Sequence, residues 1–185
     1  TPSDSITYIS LDEKSSALAT QILSLNINKS PILIILPKGI EAIISFFGVL
    51  KSGNFYTIID ENMPLERIDK IIRTLCPALL ITSKDLALNL DLLTIFIDDL
   101  SGFKPDQTIL NSVKIIDTDL AYTLFTSGST GEPKGVSISH KSLIDFTIAC
   151  VNDLAIDDSH VIANQAPFYF DLSVFDIYVN LFARA

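Results

Sequence analysis

The stretch PILIILPKGIEAIISFFGVLKSGNFYTII, residues 31–59, decides the fold of this chain. It opens with PILIILP (31–37), a short, wholly apolar, β-branched run. A strand that is apolar at every position is buried on both faces, as strands of a parallel sheet are. Residues 39–51 read as a helix, closed by Ser52-Gly53. NFYTII (54–59) is a second strand. Strand, helix and strand in this order make a βαβ unit and predict a parallel sheet.

The same rhythm continues outward. In PLERIDKIIRTL (64–75) Pro64 opens a helix, where its missing N–H costs nothing. ALLIT (78–82) is a third strand. On the N-terminal side, Ala17, Leu18, Ile22 and Leu25 recur at helical spacing over residues 12–25. Further on, LLTIFI (92–97) reads as a strand and SGFKPDQTILNS (101–112) as surface loop. LAYTLFT (120–126) and GVSIS (135–139) are strands flanking a polar loop. Residues 140–154 form a helix with Leu143, Phe146, Thr147 and Cys150 on one side. HVIANQ (160–165) reads as a strand, and LSVFDIYVNLFA (172–183), apolar nearly all round, as a buried helix. The expectation is an α/β fold of layered βαβ units with a mostly parallel sheet, a single unit over residues 1–185 without repeat or linker.

Composition narrows the function. The chain has 185 residues, 48% of them hydrophobic, enough for a sizeable core. Its net charge of −9 and the lack of any arginine-rich run argue against nucleic-acid binding. No apolar run reaches membrane-spanning length, so no membrane insertion is expected. The N-terminus lacks the charged start and apolar stretch of a signal peptide, and Cys76 and Cys150 have neither metal-type nor disulfide-framework spacing. A reduced, cytoplasmic compartment and no protein-held metal are the simple expectations. The start at Thr1 and the stop in NLFARA predict a piece of a longer protein.

The polar loop, Thr126 to Gly135, reads TSGSTGEPKG. Gly128, Gly131 and Gly135 permit a turn that points several N–H groups into one concavity. The hydroxyls of Thr126, Ser127, Ser129 and Thr130 add donors, and Lys134 adds positive charge. Together they suit phosphate oxygens. The Walker pattern is not met, because Gly135 follows Lys134 where a Ser or Thr would stand. A P-loop kinase or NTPase is therefore disfavoured, and the bland alternative is a solvated loop with a surface lysine.

YTLFTSGSTGEPKGVSISHKSL (122–143) resembles the phosphate-binding signature of the adenylate-forming enzymes, and all ten positions of the pattern [ST]SG[ST]TGxPKG match. That superfamily includes amino-acid-activating adenylation domains, acyl-CoA synthetases and luciferases. LKSGNFYTIIDENMPLERI (50–68) is similar to its LKAGxAYVPLDPxxPxERI, with mild departures at Ser52, Asn54 and Thr57. ITYISLDEKSSALATQI (6–22) resembles its opening helix, so the likeness runs from Ile6 to Leu181. The resemblance implies the N-terminal part of the large domain of such an enzyme. By it, Thr126, Ser127, Gly128, Ser129, Thr130, Gly131 and Lys134 would clasp the β- and γ-phosphates of ATP, with Lys134 as the catalytic cation and Mg²⁺ as companion.

NQAPFYFDLSVFDIYVNL (164–181) is the second informative stretch. Asp171 follows three aromatics and precedes an apolar run, so it reads either as a helix N-cap, with Ser173 a bystander, or as a carboxylate meant for a cation. The stretch resembles the FDxS motif of amino-acid-activating domains, in which this Asp holds the substrate's α-ammonium. Leu172 and Phe175 would line the side-chain pocket, Phe175 making it small. The run is most similar to the D-alanine–D-alanyl carrier protein ligases, with nonribosomal peptide synthetase adenylation domains close behind. His140 matches the His after the family's phosphate loop, as a substrate-side residue, or is simply a polar residue at a helix start capped by Ser139. His160 has no evident partner, and Asp176 reads as structural.

The resemblance thus implies an ATP-dependent ligase that adenylates a small amino acid and passes it to the phosphopantetheine of a carrier protein. The family's adenine-stacking aromatic, magnesium-binding Glu, ribose-binding Asp and C-terminal catalytic Lys have no counterparts within these residues, so this chain by itself is expected to be inactive. The alternatives are an acyl-CoA synthetase of the same fold, which Asp171 argues against, and a non-catalytic truncated scaffold module.

Overall fold

The computed structural model describes residues 5–86, 90–127 and 132–185. The elements in chain order are α1 (Tyr8–Ser24), β1 (Pro31–Ile35), α2 (Ile40–Lys51), β2 (Phe55–Ile59), α3 (Leu65–Leu75), β3 (Leu79–Thr82), β4 (Thr94–Phe96), α4 (Gln107–Leu110), β5 (Leu120–Ser127), β6 (Pro133–Ser139) and α5 (His140–Asp153). A last helical segment is built from α6 (Leu172–Val174), a π-helical stretch (Phe175–Val179) and α7 (Asn180–Ala183). The strands form one sheet in the order β4-β3-β1-β2-β5-β6. All neighbours are parallel except β5 and β6, which form an antiparallel hairpin.

The apolar runs behave as their composition requires. On β1, Ile32 and Ile34 face the α1–α2 layer and join Leu18, Phe46 and Val49. Leu33 and Ile35 face the other way and join Ile59, Ile68 and Ile71 under α3. Each fully buried side chain of this size contributes about 1.5–3 kcal/mol. The α1–α2 contact is close: a Cβ on Gly48 would stand 2.6 Å from Leu18 Cδ2. Gly53, at φ 74°, makes the turn into β2, and a side chain there would also meet Val113.

Ser52, Asn54 and Thr57 all prove structural, and all three are buried. The Ser52 hydroxyl donates to the Val49 carbonyl at 2.7 Å, closing α2. Asn54 accepts from the Ser30 N–H at 3.0 Å and donates to the Ile27 carbonyl at 3.2 Å, tying the entries of β1 and β2 together. Thr57 bonds across to β5 through the Thr123 carbonyl at 2.9 Å.

Several expectations need correction. The first helix starts one turn earlier than residue 12, because Thr7 caps it, accepting from the Ser10 N–H at 3.1 Å. Pro64 is the cap of α3, not its first residue, and its carbonyl accepts from Arg67 and Ile68. The strand expected over 92–97 shrinks to β4 and runs into a 3-10 helix, Ile97–Gly102. Within the expected loop, Asp106 caps the short α4 through the N–H groups of Thr108 and Ile109. On α5, Leu143 and Thr147 are buried but Phe146 is exposed.

Residues 160–165 form no strand, and Val161 is 95% exposed. A strand needs a neighbour for its ladder, and none of the described strands lies beside this stretch. The segment expected to be buried all round is also only one-sided. Ile177, Tyr178 and Val179 are buried, while Leu172 and Phe182 stand in solvent, because a single layer covers it.

Candidate functional site

Ligands of open parallel sheets gather at the carboxyl ends of the strands, where successive crossovers leave on opposite faces. That point lies between β1 and β2 here, because α2 follows β1 on one face and α3 follows β2 on the other. A cavity of about 260 Å³ opens there, lined among others by Lys38, Asp60, Asn62, Gln165, Phe168 and Tyr169. The aromatic run 167–170 therefore covers the strand ends. Hydrogen bonding to the Asp60 carboxylate comes first in raising the Tyr169 phenol above its ordinary value, followed by burial and the charges of Asp60 and Glu61.

The β5–β6 hairpin reaches the same edge of the sheet. Thr126 pairs with Lys134 and Ser127 with Pro133 across the hairpin. The Thr126 hydroxyl donates to the Lys134 carbonyl at 3.4 Å. Gly128, Ser129, Thr130 and Gly131 lie outside the described residues. Lys134 is exposed and makes no ion pair among the described residues. The neighbouring Glu132 instead meets Lys70 of α3 at 3.2 Å, fastening the hairpin to the helix layer. Gly135 has a steric reason to be glycine, since a Cβ there would stand 2.9 Å from Thr123 Cγ2.

Asp171 is exposed, and its carboxylate makes no hydrogen bond among the described residues. The expected N-cap role is not made: the residue has helical angles (φ −61°, ψ −28°), too far folded in for its side chain to reach the next N–H groups. Ser173 is no bystander. It is buried, and its hydroxyl donates to the carbonyls of Phe170 at 2.6 Å and Phe168 at 3.1 Å, holding the turn that presents Asp171. Phe175 is half-buried, and helical spacing sets Asp171, Leu172 and Phe175 on one face. The π-helical stretch that follows is a feature found often at functional sites.

The charge of Asp171 is felt on β5. Burial, and after it the Asp171 carboxylate, push the Tyr122 phenol up to about 12. Tyr122 precedes Thr126 by four strand residues, about 13 Å. The charge of one informative stretch thus acts on the strand that leads into the other. Beneath them lies a buried aromatic group: Phe46 stacks on Tyr56 at 4.5 Å, and the Tyr56 and Tyr178 hydroxyls are 2.9 Å apart. Burial raises both phenols far above their usual value.

The structure sets His140 apart from the phosphate loop. It follows β6 at the end away from the hairpin tip, about 20 Å along the strand from Pro133. Its N–H donates to the Asp119 carbonyl at 2.9 Å, and burial lowers its imidazole pKa against the opposing pull of Asp119. Ser139 caps α5, accepting from the Ser142 N–H at 3.2 Å. His160 does have a partner, Asp157 at 2.8 Å, in an exposed local turn. Asp176 accepts from the Asn164 amide at 2.8 Å. Among the described residues no three His, Cys, Asp or Glu side chains gather as metal ligands. None of the described helices is long and apolar enough to cross a membrane.

Sequence reasoning missed Lys38 and Tyr122 as neighbours of the site. The position of Lys38, just past the carboxyl end of a buried strand, was the available signal for it. Tyr122 carried none, because its tie to Asp171 joins residues 49 positions apart.

The chain as a whole is similar to known proteins. A D-alanine–D-alanyl carrier protein ligase of Listeria welshimeri is 37% identical over 185 residues, which cover 94% of this chain and 36% of the relative. The corresponding ligase of Bacillus cytotoxicus is 37% identical over 181 residues, covering 95% and 36%. The chain thus spans little more than a third of the length of these relatives. Among solved structures, VinN in complex with 3-methylaspartate superposes with a TM-score of 0.85 at 20% identity, over 97% of this chain and 53% of VinN. A four-domain nonribosomal peptide synthetase bound to AMP and glycine gives 0.84 at 23% identity, over 95% and 13%. A fatty acid AMP ligase from Legionella pneumophila gives 0.82 at 23% identity, over 95% and 33%. At such identities these structures show a shared fold. The family of AMP-binding enzymes matches residues 1–185, loop and sheet alike, and this chain belongs to it.

Proposed function

We propose that the full-length protein is an amino-acid-activating ligase. It would adenylate a small amino acid at the expense of ATP and transfer the aminoacyl group to the phosphopantetheine thiol of a carrier protein. The observation that carries this reading is Asp171, an exposed carboxylate without a hydrogen bond among the described residues, whose charge acts on Tyr122 of the strand that leads into the phosphate-loop sequence. A carboxylate for an ammonium and a loop for phosphates, held apart along one strand, suit an amino acid laid end to end with a triphosphate.

In the first step a substrate carboxylate oxygen attacks the α-phosphorus. The new O–P bond forms as the bond to pyrophosphate breaks, giving aminoacyl-adenylate and pyrophosphate. This chemistry depends on positioning and charge neutralisation. Lys134, with Thr126, Ser127, Gly128, Ser129, Thr130 and Gly131, would neutralise the departing pyrophosphate. Asp171 would hold the ammonium and so aim the carboxylate, while Leu172 and Phe175 would bound the side chain. His140, standing at the far end of β6, would act from behind the site if at all. Mg²⁺ would arrive on the nucleotide's own phosphate oxygens, as the described residues offer no ligand cluster for it. The 185 residues by themselves are proposed to bind nucleotide weakly and not to adenylate.

The test is amino-acid-dependent ATP–pyrophosphate exchange by the full-length protein, with L- and D-amino acids, a fatty-acid control and this chain alongside. Exchange with one small amino acid is expected. Exchange with the fatty acid alone would overturn the ammonium-holding role of Asp171 in favour of an acyl-activating enzyme. No exchange with any substrate would favour the scaffold reading.

A further inference from the structure

Residues 161–169 contain no helix or strand, so their carbonyls lack the partners that regular structure supplies. Lys38 supplies two of them. Its ammonium donates to the Asn164 carbonyl at 2.7 Å and the Ala166 carbonyl at 3.1 Å, and lies 5.8 Å from the centre of the Phe168 ring. These contacts join the turn after β1 to a segment more than 120 residues away. Asn164 is held from its other side as well, its amide donating to Asp176 at 2.8 Å. Asn164 and Asp176 thereby close a loop with Asp171 inside it, and Lys38 anchors that loop to the sheet.

We infer that Lys38 is a positioning residue for amino-acid selection: by clamping the 164–168 backbone to the end of β1, it sets where Asp171 meets the substrate ammonium. The inference rests on the ligase reading above and adds to it a residue that acts through the backbone it holds. Lys38 is itself exposed, but an ammonium bonded to two carbonyls and set over an aromatic face holds a segment that a lysine without these contacts would leave untied. Misplacing a binding carboxylate by a fraction of its hydrogen-bond length weakens ammonium capture while leaving the phosphate loop untouched.

The experiment compares Lys38→Met, Lys38→Arg and Asp171→Asn in the full-length protein. Each is assayed by ATP–pyrophosphate exchange for the KM of the amino acid and, separately, of ATP. Hydrogen exchange of the amides in 164–171 is followed alongside. Lys38→Met should raise the amino-acid KM about tenfold with the ATP KM unchanged, and should speed amide exchange in that segment. Lys38→Arg should restore most of both, because guanidinium can also serve two carbonyls. A raised amino-acid KM in Asp171→Asn but not in Lys38→Met would overturn this inference and leave the ligase reading standing. An unchanged KM in Asp171→Asn would overturn the ammonium role and this inference with it. Unchanged amide exchange in Lys38→Met would show that the clamp holds nothing, and would likewise overturn it.

Discussion

The Thr57 hydroxyl on β2 donates to the Thr123 carbonyl on β5 across 2.9 Å, in a place sealed from solvent. The two strands share a single registered residue pair, Tyr56 with Tyr122, so this side-chain bond reinforces a short ladder at the point where the hairpin joins the parallel sheet. Thr57→Val keeps the shape and removes the donor. It should lower stability by about 1–2 kcal/mol, read from denaturant unfolding. A loss under a few tenths would mean that the ladder alone holds β5 in place.

Gly48→Ala tests the α1–α2 contact. Helix propensity by itself favours Ala by about 1 kcal/mol. Against that, the new Cβ would stand 2.6 Å from Leu18 Cδ2 and 3.0 Å from Leu18 Cβ, so the whole side chain must move within a full core. The clash should win, with a net loss of about 1–2 kcal/mol and a lower thermal midpoint. A more stable variant would show that α1 can slide.

The Tyr56–Tyr178 hydroxyl pair should be strongly coupled. Either single Phe substitution strands the remaining buried hydroxyl, at about 1–3 kcal/mol, whereas the double substitution leaves none unsatisfied. A double-mutant cycle should therefore give the double variant a smaller loss than the sum of the singles. Strict additivity would mean that the two hydroxyls do not bond.

Tyr122 offers a pH signature for the position of Asp171. Its phenol titrates near 12 in the folded chain against an ordinary 10.0. The raised value means that the folded form holds the proton more tightly. This contribution to stability is complete below pH 10 and is lost as pH rises through about 12. Asp171→Asn removes one of the two causes and should lower the Tyr122 titration, followed by the ring-carbon resonance of labelled tyrosine. An unmoved titration would place the carboxylate elsewhere.

Lys134→Ala in the full-length protein should lower the ATP–pyrophosphate exchange rate about 100-fold or more, since a lost charge on a departing pyrophosphate is felt mainly in the transition state. The side chain is exposed, so the thermal midpoint should hardly move. A rate within twofold of the parent's would remove Lys134 from the chemistry.

The β1–α2–β2 unit was legible because β1 is apolar at every position, β2 nearly so, and the helix between them ends at a glycine in a left-handed turn. The family was legible through the order of the residues from Thr126 to Gly135. What sequence could not show depends on partners far along the chain. HVIANQ has the composition of a strand, but only the sheet reveals that none of the described strands pairs with it. LSVFDIYVNLFA is apolar all round, but composition does not tell which sides find a cover. Asp171 has the residue type and place of a cap, yet its own backbone angles forbid the bond. Ser173 and Lys38 looked incidental because both act on carbonyls, and backbone acceptors leave no mark in side-chain patterns.

Among the described strands, β6 is bonded on one side only, to β5, and it alone runs against the others. Mechanically it is a cantilever. Load applied to its Pro133 end falls on one ladder and on the Glu132–Lys70 tether. The outermost pairs, Thr126 with Lys134 and Ser127 with Pro133, can part without breaking any pair of β3, β1 or β2. A stiff floor and a compliant arm are thereby built from one sheet, and the reversal of a single strand separates them.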